Sequence, residues 1–238
     1  MPMQIIAMGG GGFSMEPKNL ALDRYVLAQT EKINPRICFL GQASAEHPDY
    51  IINFYNAFNQ LYCKASHLSL FKPHTADIED FLLGQDVIYV GGGNTRSMLA
   101  LWREWGLHDI LQTAAQNGTV LAGISAGAIC WFEYGLTDSI PGQINPLKCL
   151  GYLPGTCSPH YDGEDEEAER RPAYHRLVGS GKVPAGIALD DGAAAHYIDG
   201  ERKAIVTSRE GAGAYWVQKA ENGDVSETPL EVRYLLAD

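Results

Sequence analysis

Ser125 stands in the run Gly123-Ile124-Ser125-Ala126-Gly127, directly after an apolar stretch from Thr119 to Ile124. A G-x-S-x-G turn between a strand and a helix holds its serine in a strained, exposed conformation, and only small neighbours let the backbone close so tightly. Such a turn lifts the hydroxyl above the sheet and aims the Ala126 amide, at the positive end of a helix, toward the place where an oxyanion would form. The chemistry this serves is acyl transfer to serine. The same five residues also suit a plain strand-to-helix connection with Ser125 as N-cap.

A second glycine loop, Gly91-Gly92-Gly93, ends the neighbouring strand candidate, and ligands of open α/β sheets bind beyond the carboxyl ends of strands. Three glycines there would let a backbone amide approach a reacting carbonyl unobstructed. No G-x-x-x-x-G-K-[ST] run is present, and Gly9 to Gly12 breaks the G-x-G-x-x-G register, which argues against nucleotide and dinucleotide phosphates.

A serine hydroxyl needs a base within hydrogen-bond reach and a third group to orient that base. Of the seven histidines, His47, His67, His74 and His108 precede the serine in segments that read as helix ends or strands, and His175 falls in an acidic, exposed helix. His160, in Ser158-Pro-His-Tyr161, and His196, after three alanines, remain as candidates. The orienting acid has two candidates of its own, Asp190 and Asp191, just before Gly192.

The elements that must position these groups alternate as strand, loop and helix. Apolar runs at Gln4 to Met8, Ile37 to Leu40, His67 to Phe71, Asp86 to Val90 and Thr119 to Ile124 read as strands. Segments of helical period fill Leu20 to Leu27, Pro48 to Cys63, Ile78 to Leu83, and Arg96 to Asn117 with an interruption at Gly106. This pattern predicts a mostly parallel sheet flanked by helices in three layers. Beyond Ser125, Ile129 to Phe132 reads as helical and Pro141 to Pro159 as loops around one or two short strands. An acidic helix is expected from Glu164 to Leu177, then antiparallel hairpins at the sheet edge turning at Asp199-Gly200 and Asn222-Gly223. The whole chain, 1–238, is expected to form one domain.

The segments Val90-Gly-Gly-Gly-Asn-Thr95 and Gly123-Ile-Ser-Ala-Gly-Ala128 together resemble peptidase family S51, which includes aspartyl dipeptidase (peptidase E) and cyanophycinase. The resemblance implies an α/β fold related to class I glutamine amidotransferases, of flavodoxin-like layering, and a serine exopeptidase or dipeptidase acting on a small peptide, one with an acidic N-terminal residue included. It implies Ser125 as nucleophile, His160 as base and Asp191, ahead of Asp190, as the acid. It places the oxyanion hole at the Gly93 and Ala126 amides. Asn94 joins the substrate-binding candidates beside that hole, with Asp162 or Glu164 expected at a substrate ammonium and Arg170 or Arg171 at a substrate carboxylate. Two other readings of the same residues stand beside it: an esterase or amidase for a small non-peptide substrate, and a catalytically silent binding module.

Composition narrows the partners. A formal net charge of -11 lacks the basic footprint that nucleic acid or an anionic membrane demands, so neither is expected as a partner. No run of about 18 apolar residues and no leader pattern are present, and five scattered cysteines suggest no disulfide framework, so a cytoplasmic setting is expected. Ligand-spaced histidines are missing, and neither metal nor cofactor is expected. A homodimer is compatible with the sequence.

Overall fold

The structure, a computed structural model, describes residues 2–163 and 170–236. Among these, strands β1 (Gln4–Met8), β2 (Arg36–Leu40), β3 (Lys64–Leu68), β4 (Val87–Val90) and β5 (Val120–Ile124) lie parallel in the order β1-β5-β4-β2-β3. Helices α1 (Gly12–Met15), α2 (Ala21–Ala28), α3 (Pro48–Phe58), α4 (Ile78–Leu83), α5 (Thr95–Glu104) and α6 (Leu107–Gln116) connect them. α7 (Ala126–Ile129) is a single turn after β5. The fold is α/β, with a large, mostly parallel sheet flanked by helices. Among the described residues no helix is long and apolar enough to cross a membrane.

The strands read as unbroken apolar runs because both of their faces are covered. Ile5 and Ala7, Cys38 and Leu40, and Ile88 and Val90 enter one core with Met98, Trp102 and Leu111. Their neighbours Ile6 and Met8, Ile37 and Phe39, and Val87 and Tyr89 enter the opposite core with Leu22, Val26, Phe54 and Phe58. On that second face the Phe13 ring, just past the first glycine run, meets Phe39, Phe54, Phe58 and Tyr89 at centroid distances of 5.8, 5.7, 5.7 and 5.4 Å. These edge-on contacts anchor the glycine segment to the body of the sheet.

The chain after α7 departs from expectation. The helix ends at Ile129, and Phe132 opens a nine-residue strand, β6 (Phe132–Ile140), followed by β7 (Gln143–Lys148) and β8 (Leu153–Ser158). With β9 (Gly186–Leu189), β12 (Ala214–Lys219) and β13 (Val225–Pro229) these build a second, six-stranded sheet ordered β13-β12-β9-β8-β6-β7. Its apolar side, including Phe132, Leu153, Cys157, Ile187 and Leu189, completes the core begun by Ile5 and Ile88. Strands β10 (Ala193–Ile198) and β11 (Glu201–Thr207) form the hairpin expected at Asp199-Gly200 and extend the large sheet, with β14 (Arg233–Tyr234) beyond. The hairpin expected at Asn222-Gly223 joins β12 to β13 in the second sheet. Strand β3 starts at Lys64 rather than His67, because its register pairs Lys64 to Leu68 with Arg36 to Leu40. α8 is described over Arg170–Gly179; the expected acidic helix from Glu164 begins outside the described residues.

One buried group works against stability. Asp23 on α2 is fully buried beneath the first glycine segment, and neither carboxyl oxygen reaches a donor at hydrogen-bonding geometry. Burial pushes its pKa up to about 7, with the Phe13 amide, the Tyr89 hydroxyl and Arg24 near enough only to soften the penalty. Between pH 4 and 7 the native chain therefore keeps a proton that the unfolded chain releases, so this group lowers stability as pH rises. At ~1.4 kcal/mol per pKa unit the loss approaches ~4 kcal/mol at pH 8. Chemical denaturation across that range is expected to show Asp23→Asn escaping this decline, and a variant whose stability falls as steeply as wild type would contradict it.

Candidate active site

Two pairs of adjacent parallel strands converge on Ser125, one pair from each sheet. From the large sheet, β5 delivers Ser125 and its neighbour β4 delivers the Gly91-Gly92-Gly93 loop. From the second sheet, β8 leads through Pro159 to His160, and its neighbour β9 leads through Asp190 to Asp191. All four segments leave the carboxyl ends of their strands, where parallel sheets gather ligands.

Ser125 has φ 55° and ψ -112°, a left-handed conformation that costs a non-glycine residue of order 1–3 kcal/mol. Its amide donates to the Met8 carbonyl at 3.0 Å, and its carbonyl accepts from the Ala128 and Ile129 amides at 2.9 and 3.0 Å, which holds the turn. A Cβ on Gly127 would fall 2.2 Å from the Val90 carbonyl oxygen, so the second glycine of the motif lets α7 press against β4. As the first amide of α7, that of Ala126 has no intrahelical acceptor.

The side chains form one connected line. Ser125 Oγ lies 2.9 Å from His160 Nε2, and His160 Nδ1 lies 2.6 Å from Asp191 Oδ1. His160 is 9% exposed and itself adopts φ 50°. Burial pushes the Asp191 carboxyl upward, but the hydrogen bond and charge of His160, with the Arg209 and Arg170 guanidiniums, outweigh it and hold the group below its ordinary value. Asp190 takes the opposite course. Its Oδ2 accepts the Gly213 amide at 2.8 Å, and burial, aided by the charges of Asp162 and Asp191, lifts it to about 6. Of the two adjacent carboxylates, Asp191 is the one that reaches the imidazole.

His196, the other candidate base, lies elsewhere. Its Nδ1 is 2.9 Å from the Tyr25 hydroxyl and its Nε2 is 3.0 Å from Gln4 Oε1, so both ring nitrogens serve to tie α2 and β1 to β10. His175 sits 2.7 Å from Glu227 Oε2.

The proposed binding residues fare differently. Asn94 lines the cavity above Ser125, but its Oδ1 caps α5 by accepting the Ser97 amide at 2.9 Å and its Nδ2 donates to the Ser139 carbonyl at 3.0 Å. Its side chain therefore fixes the loop and has both ends engaged. Asp162, expected at a substrate ammonium, accepts the Asp191 amide at its Oδ1 at 2.7 Å and braces the acid turn. Glu164 lies outside the described residues. Arg170 does reach the cavity, whose walls are Gly93, Asn94, Ser125, Asp138, Ser139, His160 and Arg170 and whose volume is about 320 Å³. Arg171, the other arginine considered, turns away to pair with Glu227 over the Tyr161 and Tyr215 rings. A larger cleft of about 550 Å³ between Thr207 and Tyr234 is lined by neither a serine nor a histidine.

Four residues of the site escape a reading of the sequence alone. Asp138 and Ser139 enter the cavity from β6, in a stretch without a strand signal. Gly10 pairs with Asp191 across an isolated bridge and accepts the Gly192 amide at 3.1 Å; a Cβ there would sit 1.8 Å from Asp191 Oδ1. The Tyr50 hydroxyl accepts the Gly92 amide at 3.1 Å and steadies the second glycine loop. Only the glycine run itself was a visible signal, and its position after a strand carries no hint of the acid 180 residues later in the chain.

Gly93 has φ 131°, and a Cβ on it would lie 2.4 Å from the Ala43 carbonyl oxygen. Gly93→Ala must therefore move the loop. If its amide serves as an oxyanion donor, turnover falls ~100 to 1000-fold, the effect of losing one such donor. Steady-state kinetics checks this against a thermal melt showing the fold retained; unchanged turnover would remove Gly93 from the site.

Known proteins resemble this chain in sequence and in fold. The model of peptidase family S51 matches residues 5–205. Over 232 residues, 98% of this chain and 99% of the other, the chain is 57% identical to an uncharacterized peptidase, YgaJ, of Bacillus subtilis (strain 168). It is 32% identical over 148 residues to peptidase E of Haemophilus influenzae (strain ATCC 51907 / DSM 11121 / KW20 / Rd), covering 58% of this chain and 64% of that one. Among solved structures, a peptidase from an acI-B1 actinobacterium superposes with a TM-score of 0.68 at 15% identity, covering 98% of this chain and 95% of its own. A putative peptidase E from Listeria monocytogenes EGD-e superposes with a TM-score of 0.63 at 16% identity, covering 85% and 98%. These two share the fold. With the family model spanning most of its length and a relative identical at more than half of its positions, the chain belongs to peptidase family S51 and is a peptidase.

Proposed function

We propose that the chain is a serine exopeptidase that removes one residue or a very short unit from the amino end of a small peptide through a Ser125-His160-Asp191 triad. The observation that carries the reading is the unbroken line from Asp191 Oδ1 through both imidazole nitrogens to Ser125 Oγ, ending at a small polar cavity. Asp191, ionised and 2.6 Å from Nδ1, favours the tautomer in which Nε2 is free to accept a proton from the serine. As Oγ attacks the peptide carbonyl, His160 takes that proton, and the amides of Gly93 and Ala126 receive the developing oxyanion. His160 then protonates the leaving amine, which departs and leaves an acyl-Ser125 ester. Water, deprotonated by the same imidazole, attacks the ester and frees the acid and the serine.

Restriction to small peptides rests on the cavity. At about 320 Å³ it lies at the lower end for ligand sites and matches one or two residues rather than a threaded chain. The likeness to peptidase E points the same way. A panel of free dipeptides and tripeptides, their N-acetylated forms and a denatured protein tests this. Cleavage of the free short peptides after the first or second residue, with the other substrates untouched, is expected. Cuts inside the denatured protein with dipeptides intact would contradict an exopeptidase.

A further inference from the structure

Arg170 is the largest charged group in the site's wall and is only 2% exposed. Its Nη2 donates to Asp138 Oδ2 at 2.8 Å and its Nη1 reaches the Leu136 carbonyl at 3.4 Å, while its Nε is buried with no hydrogen-bond partner among the described residues. Asp138, 53% exposed at its side chain, is held in place by its neighbour. Ser139 accepts from Asn94 Nδ2 at 3.0 Å through its carbonyl and from the Arg96 amide at 3.2 Å through its hydroxyl, and that hydroxyl lies 2.7 Å from Thr137 Oγ1. The acid is thus delivered by a hairpin that is itself fastened to the N-terminus of α5.

Resting on the serine-peptidase reading, we propose that Asp138 occupies, from within the chain, the place on Arg170 that a substrate carboxylate would take, and so makes the pocket select an uncharged polar first residue over an acidic one. A guanidinium so deeply buried needs a carboxylate partner, and Asp138 already supplies one without substrate, while Nε keeps no acceptor among the described residues. An acidic side chain entering the cavity would meet the Asp138 carboxylate at close range and would have to displace it. Rejection by a built-in like charge is a general route to specificity. A carboxamide or hydroxyl meets no such cost. It can accept from the donors Arg170 has left over and donate to the half-exposed Asp138 carboxylate. The chain's net charge of -11 adds a long-range bias against anionic substrates in the same direction.

Two aminoalkyl diphenyl phosphonates with a free α-amine, one carrying an asparagine and the other an aspartate side chain, test this through their rates of inactivation. Wild type is expected to react at least ~10-fold faster with the asparagine type, the scale of a modest charge effect at a partly solvated site. Asp138→Asn and Asp138→Ala, both at a half-exposed position, should release Arg170 and turn the ratio toward the aspartate type. Adding Arg170→Gln should abolish that reversal. A wild type that prefers the aspartate probe, or a ratio unmoved by either Asp138 variant, would overturn the proposal. So would failure of both probes alongside labelling of Ser125 by a simple fluorophosphonate, which would leave the hydrolase reading intact. Failure of every phosphonate would bring down the serine-peptidase reading, and this proposal with it.

Discussion

Ser125→Ala and His160→Ala are each expected to lower kcat/KM by ~10^6-fold, and the double variant is expected to lose no more than either alone. The scale is that seen when a hydrolytic triad loses its nucleophile or base, and the non-additivity follows from the two groups acting as one unit. The distances make the coupling concrete. At 2.9 Å from Oγ, the imidazole is the only group reaching the hydroxyl among the hydrogen bonds of the described residues, so an alanine at either end leaves the other without a function. On the proposed mechanism, what survives in each variant is positioning and the oxyanion donors, worth ~10^3 to 10^4-fold over water in related chemistry. Neither change should unfold the chain. Ser125 itself occupies a left-handed backbone that strains it, and alanine is no larger, so a melting temperature within a few degrees of wild type is expected. Additive losses, or single-variant activity within tenfold of wild type, would show that the two side chains do not share a proton.

Asp191→Asn is expected to cost ~10^4-fold in kcat, while Asp190→Asn costs less than ~10-fold. The carboxylate of Asp191 meets His160 Nδ1 at 2.6 Å and stays ionised despite its burial. An amide at that position could present its NH2 to Nδ1, force the proton onto Nε2 and disable the base while preserving the shape of the site. Asp190 faces the other way, onto the Gly213 amide at 2.8 Å, and its loss touches the turn rather than the imidazole. Kinetics of the two variants side by side decides between adjacent acids, and equal losses would contradict the assignment. The pH dependence of the Asp191 variant adds a check. Reaction should recover as pH rises and hydroxide relieves the need for a base, a trend that a merely destabilised protein would not show.

How far the sequence speaks depends on how local the determining contacts are. β1, β2, β4 and β5 are legible because burial on both faces makes them continuous apolar runs bounded by glycine or proline. Ser125 is legible because its turn needs small residues at fixed offsets. The second sheet is legible only in part: Pro141 to Pro159 allows the short strands β7 and β8, interrupted though they are by Pro146, Pro154 and Gly155, whereas β6 carries Glu133, Gly135 and Asp138 within nine residues and shows no strand pattern. Those strands are stabilised by partners far along the chain, as when β8 pairs with β9 at Thr156 and Gly186, and such pairing leaves little local trace. His160 illustrates the middle case. Nothing in its flanking residues separates it from His196; the resemblance to a family does, and the packing of two sheets supplies the distance. Asn94 and Asp162 are legible as polar residues near the site, yet their hydrogen bonds turn inward to the scaffold, which no spacing rule reveals. The Arg170 to Asp138 pair joins α8 to β6 across the cavity and follows only from the assembled fold.

The proton transfer we propose between Ser125 and His160 is open to one direct measurement: covalent labelling by a fluorophosphonate, located by peptide mass spectrometry, in wild type and in His160→Ala. A single adduct on Ser125, formed at a rate that collapses by several orders of magnitude in the variant, is the predicted result. An adduct at any other residue, or a Ser125 that reacts equally fast without the imidazole, would contradict the account.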